Sequence, residues 1–275
     1  MSREAEFHDR WAENIDISSL DVRRAFESPL AFENRFILKK LGSLAGKRIL
    51  DVGAGYGESS VYFALKGAKV TALDPSPMMI KQMVALADRH RVQVHSVVGD
   101  VHDLPDPPDS YDIVYLGNVI HHVEDRSALF ARIRTLLKPG GVFVSMDPLT
   151  YNPVIRIYRR MAQQVRTVDE RPLTTQDIAL ARRYFNKVSH REFWLLSLAL
   201  FLKYYLLDRV DPNQERYWKK ILDESWDTIR WMKPLLWLDR GLTRIPGLRL
   251  LCWNIVMWGE RTEGLAQTEN GRIVG

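Results

Sequence analysis

The sequence of 275 residues has almost no cysteine and no long apolar run. Its single cysteine, Cys252, cannot form a disulfide within one chain, and no Cys/His cluster has metal-ligand spacing, so we expect no metal site. The most apolar stretch, 193–207, is interrupted by Lys203 and is shorter than the ~18 residues of a membrane-spanning helix. The N-terminal residues lack the apolar core of a secretory signal. These absences predict a cytoplasmic protein in a reducing compartment.

Blocks of like charge are also absent, although the charge is uneven. Residues 1–150 have 18 Lys and Arg against 20 Asp and Glu, whereas residues 151–275 have 21 against 14. A basic second half can attract phosphates, nucleic acid or an anionic membrane, or can simply be a solvated surface. Nucleic acid is disfavoured, because the basic residues alternate with Leu and Trp as on an amphipathic helix.

Short strands and helices alternate through the first half of the chain. Apolar runs predict strands at 47–52, 68–73, 92–98, 111–116 and 141–146, with helices at 58–65, 78–87 and 129–137 between them. This alternation predicts parallel strands with crossover helices, and therefore an α/β doubly wound sheet. Ligands bind such a sheet at the carboxyl ends of its strands.

The second half has a different organisation. A capped helix is predicted at 174–185, a sixth strand at 188–196 and a seventh at 251–258, with a helical insertion at about 197–250 between these two strands. The chain is predicted to divide into a helical N-terminal lid (1–45), a ligand-binding core (46–150), a C-terminal part of the fold that contains the insertion (151–260), and a tail (261–275).

Segment 51–57 (DVGAGYG) lies between a predicted strand and a predicted helix. Its glycines let backbone approach a ligand closely, and the following helix N-terminus offers unpaired N–H groups. The spacing is GxGxG, and Glu58 occupies the third glycine position of a dinucleotide-binding loop, where a carboxylate opposes the pyrophosphate of NAD. Asp74 ends the second strand, where its carboxylate can accept hydrogen bonds from both hydroxyls of a ribose.

Gly99-Asp100 follows the third strand and Asn118 the fourth. With these residues, segment 47–150 resembles the class I S-adenosylmethionine-dependent methyltransferases, in particular the small-molecule branch with the quinone and sugar methyltransferases. The resemblance implies a Rossmann-like, seven-stranded, mostly parallel sheet, with S-adenosylmethionine as cofactor and S-adenosylhomocysteine as product. It implies that Asp51 lies near the methionine ammonium, that Asp74 binds the ribose and that Asp100 binds the adenine amino group. The other implied cofactor-binding residues are Gly53, Gly55, Gly57, Pro75, Val101 and Asn118.

Segment 117–123 (GNVIHHV) resembles the part of this family that lines the methyl-transfer pocket. The sulfonium is an activated donor, so transfer mainly requires positioning, with a base where the acceptor must lose a proton. His121 and His122 are the candidate catalytic bases, unless both rings serve hydrogen bonds within the loop. The candidate acceptor-binding residues are Trp11, on the predicted lid, and Asp147, Tyr151 and Asn152, after the fifth strand.

The aromatic and basic segment 193–237 allows three interpretations. It can form an extra helical layer or a dimer face, line a pocket for a hydrophobic acceptor, or contact a membrane surface peripherally. The sequence leaves the oligomeric state open. We predict methyl transfer to a small molecule, hydrophobic or lipid-linked, with O-methylation preferred over C-methylation. The alternatives are a non-catalytic S-adenosylmethionine-binding scaffold and, less favoured, an NAD-dependent oxidoreductase.

Overall fold

The computed structural model describes residue 9 and residues 16–162 and 170–262, which contain a seven-stranded sheet flanked by helices. The strand order is β3-β2-β1-β4-β5-β7-β6, and β7 runs antiparallel to both of its neighbours while the first five strands are parallel. The strands are β1 Arg48–Val52, β2 Lys69–Asp74, β3 Val94–Val98, β4 Tyr111–Gly117, β5 Leu137–Pro148, β6 Asn186–Phe193 and β7 Asn254–Glu260. The predicted doubly wound, mostly parallel sheet is confirmed.

Helices cover both faces of the sheet and fill the insertion. They are α1 Arg24–Glu27, α2 Phe32–Leu41, α3 Glu58–Leu65, α4 Pro77–Arg89, α5 Arg126–Leu136, α6 Pro153–Met161, α7 Thr175–Tyr184, α8 Ala199–Leu202, α9 Tyr217–Asp223, α10 Ser225–Leu242 and α11 Pro246–Arg249. Short 3-10 turns lie at Ile17–Ser19 and Ile120–His122, and a π-helical turn lies at Lys203–Leu207. Within the described ranges, no helix is both long and apolar enough to cross a bilayer.

Local sequence signals explain where several helices begin. The Ser76 hydroxyl accepts a hydrogen bond from the Met79 N–H at 3.0 Å, and Pro77 occupies the first helical position of α4. Thr174 and Asp177 form a capping box at the start of α7. The Thr174 hydroxyl accepts a hydrogen bond from the backbone of Asp177, and the Asp177 carboxylate accepts one from the backbone N–H of Thr174. These caps are the features that made the two helices predictable.

The last three strands differ from the prediction at their ends. β6 stops at Phe193, three residues early, because Trp194 has a left-handed backbone (φ 68°) that cannot continue a strand. β7 starts at Asn254, so Cys252 lies in a buried turn before the strand, and its predicted place inside the strand was wrong. β5 starts at Leu137, four residues before the predicted strand, and its pairing with β4 shifts register between Tyr111 and Ile113.

The insertion has an apolar core of its own. Phe201 of α8 and Tyr217 of α9 pack against each other and against Tyr158 of α6, and Trp253, in the turn before β7, packs against Phe201. The ring centroids in these pairs are 4.9–5.2 Å apart. This cluster lies beyond the carboxyl edge of the sheet and is separate from the two clusters that cover the faces of the sheet. The predicted helical insertion therefore forms a packed layer over the ligand-binding edge. The division of the chain into a lid, core and tail stays a prediction, and residues 263–275 lie outside the described residues.

Asp239 of α10 ties the insertion to the end of β6. Its buried carboxylate accepts hydrogen bonds from the N–H groups of Leu195, Leu196 and Ser197 at 2.7–3.2 Å and from the Ser197 hydroxyl at 2.5 Å. Hydrogen bonds to a charged acceptor stabilise more than neutral ones, and a lost acceptor leaves buried donors unsatisfied.

We expect Asp239→Ala to lower the free energy of unfolding by about 3 kcal/mol, because four donors lose one buried acceptor. Urea denaturation followed by circular dichroism measures the change. The matched control is Asp227→Ala, which removes an exposed carboxylate from the same helix and should change stability by less than about 0.5 kcal/mol. Equal effects of the two variants would contradict the anchoring role of Asp239.

Candidate active site

A cavity of about 760 Å³ opens at the carboxyl ends of β1, β2, β4 and β5. Its volume falls in the range typical of sites for cofactors and small molecules. The walls come from the glycine loop after β1, the ends of β2 and β4, the helix α2, the segment after β6 and the helix α9. The cavity therefore lies where the doubly wound topology predicts it.

The glycine loop 53–57 forms one side of the cavity. Gly53 has a φ of 66°, and a Cβ atom there would lie 2.5 Å from Val119 Cγ2. Packing against the loop after β4 therefore excludes a side chain at this position. Gly55 also has a positive φ, but a Cβ atom there would have nothing within 4 Å. Gly55 thus leaves open space beside the backbone, where a bound ligand can approach.

Two carboxylates stand beside this loop. Asp74 accepts hydrogen bonds from the Gly55 N–H at 2.8 Å through Oδ2 and from the Ser76 N–H at 2.9 Å through Oδ1. Asp51 accepts one from the Ser60 hydroxyl at 2.6 Å. Burial, with a smaller contribution from the nearby Asp74 charge, raises the pKa of Asp51 from 3.8 to about 7. A cationic group bound here would favour the ionised form of Asp51.

The remaining predicted cofactor residues meet at the same cavity. Pro75, Asp100 and Asn118 line it with the buried Val101. Asp100 is exposed and accepts a hydrogen bond from the His102 N–H at 2.9 Å, which orients its carboxylate. Asn118 has a left-handed backbone with φ of 60° and donates its N–H to the Met146 carbonyl at 2.7 Å.

The 3-10 turn Ile120–His122 brings both candidate bases to the cavity. The His121 and His122 rings have centroids 4.0 Å apart. His121 Nδ1 lies 2.9 Å from Asp147 Oδ1, which also accepts the His121 backbone N–H at 3.2 Å. Burial raises the pKa of Asp147 to about 8, against the opposing effect of hydrogen bonds from the turn. Asp147 therefore fixes the ring and the backbone of His121 together.

Arg126 holds this turn from behind. Its Nε donates to the Ile120 carbonyl at 3.2 Å, and its guanidinium pairs with Asp177 of α7 at 2.6 Å and with the Arg171 carbonyl. The Arg171 N–H donates in turn to the His121 carbonyl at 2.7 Å. The segment before α7 is thereby fixed beside the two histidines.

Three of the predicted acceptor residues do not line the cavity. Asp147 is fully buried, and its carboxylate is hydrogen-bonded to His121 of the 3-10 turn instead of facing the cavity. The Tyr151 hydroxyl accepts the Thr175 N–H at 3.0 Å on the outside of the fold. Asn152 caps α6 and donates its side-chain amide to the Leu251 carbonyl. Trp11 lies outside the described residues.

Other residues, which the sequence did not single out, line the cavity as well. Glu33 of α2 is buried and accepts a hydrogen bond from the Asn254 side-chain amide at 2.7 Å, and burial raises the pKa of Glu33. A glutamate four residues before the buried Ile37 interrupts the apolar face of α2, and this was the available signal. The aromatic walls come from Tyr115, Tyr158, Trp194 and Trp253.

The insertion also contacts the glycine loop. Arg216, Trp218, Ile221 and Leu222, in and just before α9, line the cavity. The Lys219 ammonium lies 5.3 Å from the centroid of the Tyr56 ring, and burial lowers the pKa of Lys219. The insertion therefore lies beside residues that are expected to bind the cofactor.

Residues 50–145, from β1 to β5, match the methyltransferase domain family. The matched segment contains the glycine loop and the strand-end acids Asp51, Asp74 and Asp100. The match therefore agrees with the resemblance that these residues carry.

Curated relatives match the same part of the chain. The ubiquinone biosynthesis O-methyltransferase of Aeromonas salmonicida is 37% identical over 113 residues, which are 40% of this chain and 47% of that protein. The demethylmenaquinone methyltransferase of Renibacterium salmoninarum is 32% identical over 126 residues, which are 45% of this chain and 52% of that protein. The matched segment thus spans about half the length of these relatives.

A solved structure extends the likeness of the fold. The phosphoethanolamine N-methyltransferase 2 of Haemonchus contortus, in complex with phosphomonomethylethanolamine and S-adenosylhomocysteine, superposes with a TM-score of 0.58 at 18% identity. The superposition covers 96% of this chain and 61% of that chain. This likeness concerns the fold, and it includes the region of the insertion.

The raised pKa of Asp51 predicts a pH-dependent stability. Because the folded state holds this proton more tightly than the unfolded state, the free energy of unfolding falls as the pH rises from about 4 to about 7. Asp51→Asn removes this titration and keeps an oxygen for Ser60. Without ligand, we expect the variant to be more stable than the wild type at pH 8, by up to about 4 kcal/mol, and equally stable near pH 4.

Urea denaturation at a series of pH values measures this difference. The control is Asp103→Asn, which replaces an exposed aspartate near the cavity and should leave the pH dependence of the wild type unchanged. A stability difference for Asp51→Asn that does not change between pH 4 and pH 8 would contradict the buried, protonated state of Asp51.

Proposed function

We propose that this protein transfers a methyl group from S-adenosylmethionine to an oxygen of a hydrophobic or lipid-linked small molecule. The observation that carries the proposal is that Asp51, Asp74 and Asp100 line one cavity together with an open glycine loop and the two histidines. The methyltransferase domain match and the names of the curated relatives, which include O-methylation in ubiquinone biosynthesis, support it.

The three acids suit the three polar parts of the cofactor. Asp74 is oriented by two backbone N–H groups, and each of its oxygens has a further lone pair for a ribose hydroxyl. Asp51 lies deeper, beside Gly53, and is the group to meet the methionine ammonium. Asp100, exposed at the rim, accepts the adenine amino group over the buried Val101. An ammonium at Asp51 would also offset the cost of burying that carboxylate.

The proposed reaction is an in-line displacement at the methyl carbon. The acceptor oxygen forms a bond to this carbon while the carbon–sulfur bond breaks, and the electron pair of that bond stays on sulfur, which becomes the thioether of S-adenosylhomocysteine. The acceptor's hydroxyl proton must leave, and His121 and His122 are proposed to assist its departure because they line the acceptor end of the cavity. The rest of the barrier is lowered by holding the two reactants at attack distance.

The aromatic walls support a planar, apolar acceptor. The ring centroids of Trp194 and Trp253 are 6.4 Å apart in an edge-on arrangement, and Tyr158, from the same apolar cluster, also lines the cavity. Aromatic rings bury large apolar surfaces and stack on planar ligands. The quinone-related names of the curated relatives agree with such an acceptor. Glu33, held by Asn254, offers an oxygen to a polar group on it.

We also propose that the insertion makes peripheral contact with a membrane surface. Trp226, Arg230, Lys233 and Trp237 recur at spacings of three and four on α10, so they share one face, and all four are exposed. Trp226 and Trp237 are 70% and 72% exposed, which is unusual for residues of this size. Aromatic rings flanked by cationic side chains are typical of interfacial helices. A lipid-linked acceptor would reach the cavity from such a surface.

The cofactor is tested by thermal melts of the purified protein. We expect S-adenosylhomocysteine to raise the melting temperature, by about 2.7 kcal/mol of stability at ~100 times its dissociation constant, and NAD to have no effect. Asp74→Ala should bind S-adenosylhomocysteine at least about tenfold more weakly, because two ribose hydroxyls lose their acceptor. The control is Asp88→Ala, which removes an exposed acid from α4.

A rise with NAD alone, or an equal response in Asp74→Ala and the wild type, would contradict the proposed cofactor. Binding of S-adenosylhomocysteine with no methyl transfer from labelled S-adenosylmethionine to any quinol or phenol acceptor would instead favour a non-catalytic scaffold.

Membrane contact is tested by sedimentation with phosphatidylcholine vesicles that contain phosphatidylglycerol. We expect the wild type to sediment with these vesicles. The double variant Trp226→Ser/Trp237→Ser should bind at least about tenfold more weakly, since two indole rings no longer enter the interface. Val98→Ser, which changes an exposed apolar residue of β3, is the control. Equal binding of the double variant and the control would contradict docking through α10.

A further inference from the structure

Two histidines and one glutamate meet at the acceptor end of the cavity. His121, His122 and Glu170 each bring one potential ligand atom, and these atoms all lie within 4.8 Å of one another. All three residues line the cavity. The cluster was not visible in the sequence, because Glu170 is separated from the histidines by α5, β5 and α6.

The backbone explains how Glu170 reaches the histidines. The N–H of the next residue, Arg171, donates to the His121 carbonyl at 2.7 Å, and the Leu173 N–H donates to the Pro148 carbonyl at 2.8 Å. These bonds fix the segment beside the 3-10 turn. Arg159 of α6 pairs with Glu170 Oε2 at 2.7 Å, and a carboxylate has a second oxygen and further lone pairs with which it can bind another cation.

Asp147 orients one of the three candidate ligands through a hydrogen bond to the His121 ring. Because His121 Nδ1 is hydrogen-bonded to Asp147 Oδ1 at 2.9 Å, Nε2 is the ring nitrogen through which His121 can bind a metal ion. Metal-binding histidines almost always have their other nitrogen on a carboxylate or carbonyl, which fixes the tautomer and the ring orientation. Asp147 is fully buried, and its Oδ2 has no hydrogen-bond partner among the described residues.

We propose that His121, His122 and Glu170 form a binding site for a divalent transition metal ion, with Zn²⁺ as the best match. Two imidazole nitrogens and one carboxylate oxygen are a ligand set typical of catalytic zinc, in which a fourth position stays open for water or substrate. Donor atoms around Zn²⁺ lie about 3.4 Å apart, given bonds of ~2.1 Å, so side-chain adjustments of about 1 Å would close the site.

This site would deepen the proposed function, on which its chemical role rests. An acceptor hydroxyl at the open position would be acidified by the ion, so that its proton leaves to water before or during attack on the methyl carbon. The two histidines would then act as ligands, and Asp147 would act as a positioning residue. The ion would also orient the acceptor oxygen toward the sulfonium end of the cavity.

Metal binding is measured directly on the full chain, after treatment with EDTA and gel filtration. Isothermal titration with ZnCl₂ should show one site per chain, and Co²⁺ should give the visible absorption bands of a site of low coordination number. We expect Glu170→Gln and His122→Asn to weaken Zn²⁺ binding at least tenfold each. The control is His95→Asn, which replaces an exposed histidine on β3 and should bind as the wild type does.

Melting curves without metal show whether each variant is folded, and S-adenosylhomocysteine binding is measured on the same samples. Absence of one-to-one Zn²⁺ binding by the wild type, or equal binding by the wild type, Glu170→Gln and His122→Asn, would overturn the metal site. Because S-adenosylhomocysteine binding does not need these ligands, its retention in that case would leave the proposed methyl transfer standing. Metal binding without S-adenosylhomocysteine binding would instead contradict the proposed function.

Discussion

Buried carboxylates around one cavity are the constraint on which the rest of the site depends. Burial raises the pKa values of Glu33 and Asp51, which line the cavity, so each of these groups costs free energy when it is ionised in the unliganded protein. The rigid sheet and its hydrogen bonds hold them in place nonetheless. Such a cavity favours positively charged ligands, because a cation stabilises the ionised acids and recovers part of that cost. A sulfonium cofactor with an ammonium group and a divalent ion both satisfy this requirement.

The topology explains why these groups meet. Parallel strands end at the same edge, so the loops after β1, β2 and β4 converge although they are far apart in the chain. The histidine turn follows β4, and Asp147 lies near the end of β5, the neighbouring strand, so the pair forms across one strand–strand contact. Glu170 joins them only because the segment before α7 returns over this edge. The glycine loop and its acids thus follow strands of the sheet, whereas Glu170 and the cavity residues of α9 are placed by the packing of later segments.

This difference explains what the sequence could predict. The glycine loop, Asp51, Asp74 and Asp100 follow strands whose apolar runs are evident, so their convergence followed from the order of elements. Asp147, Tyr151 and Asn152 were expected at the acceptor end from their position after β5, but their side chains serve the histidine turn, α7 and α6 instead. Glu33 and Glu170 were missed, since each reaches the cavity through tertiary contacts between distant segments. Periodicity identifies a buried face but not the particular group that the face meets.

The insertion connects the two ends of the cavity to the surface. Its helix α9 contributes Trp218 and Ile221 to the wall of the cavity, and α10 begins directly after α9 and carries the exposed Trp226 and Trp237. Asp239, on the buried side of α10, is bonded to the backbone that follows Trp194, another wall residue. The helix that carries the exposed indole rings is thus joined to cavity-lining segments at both of its ends.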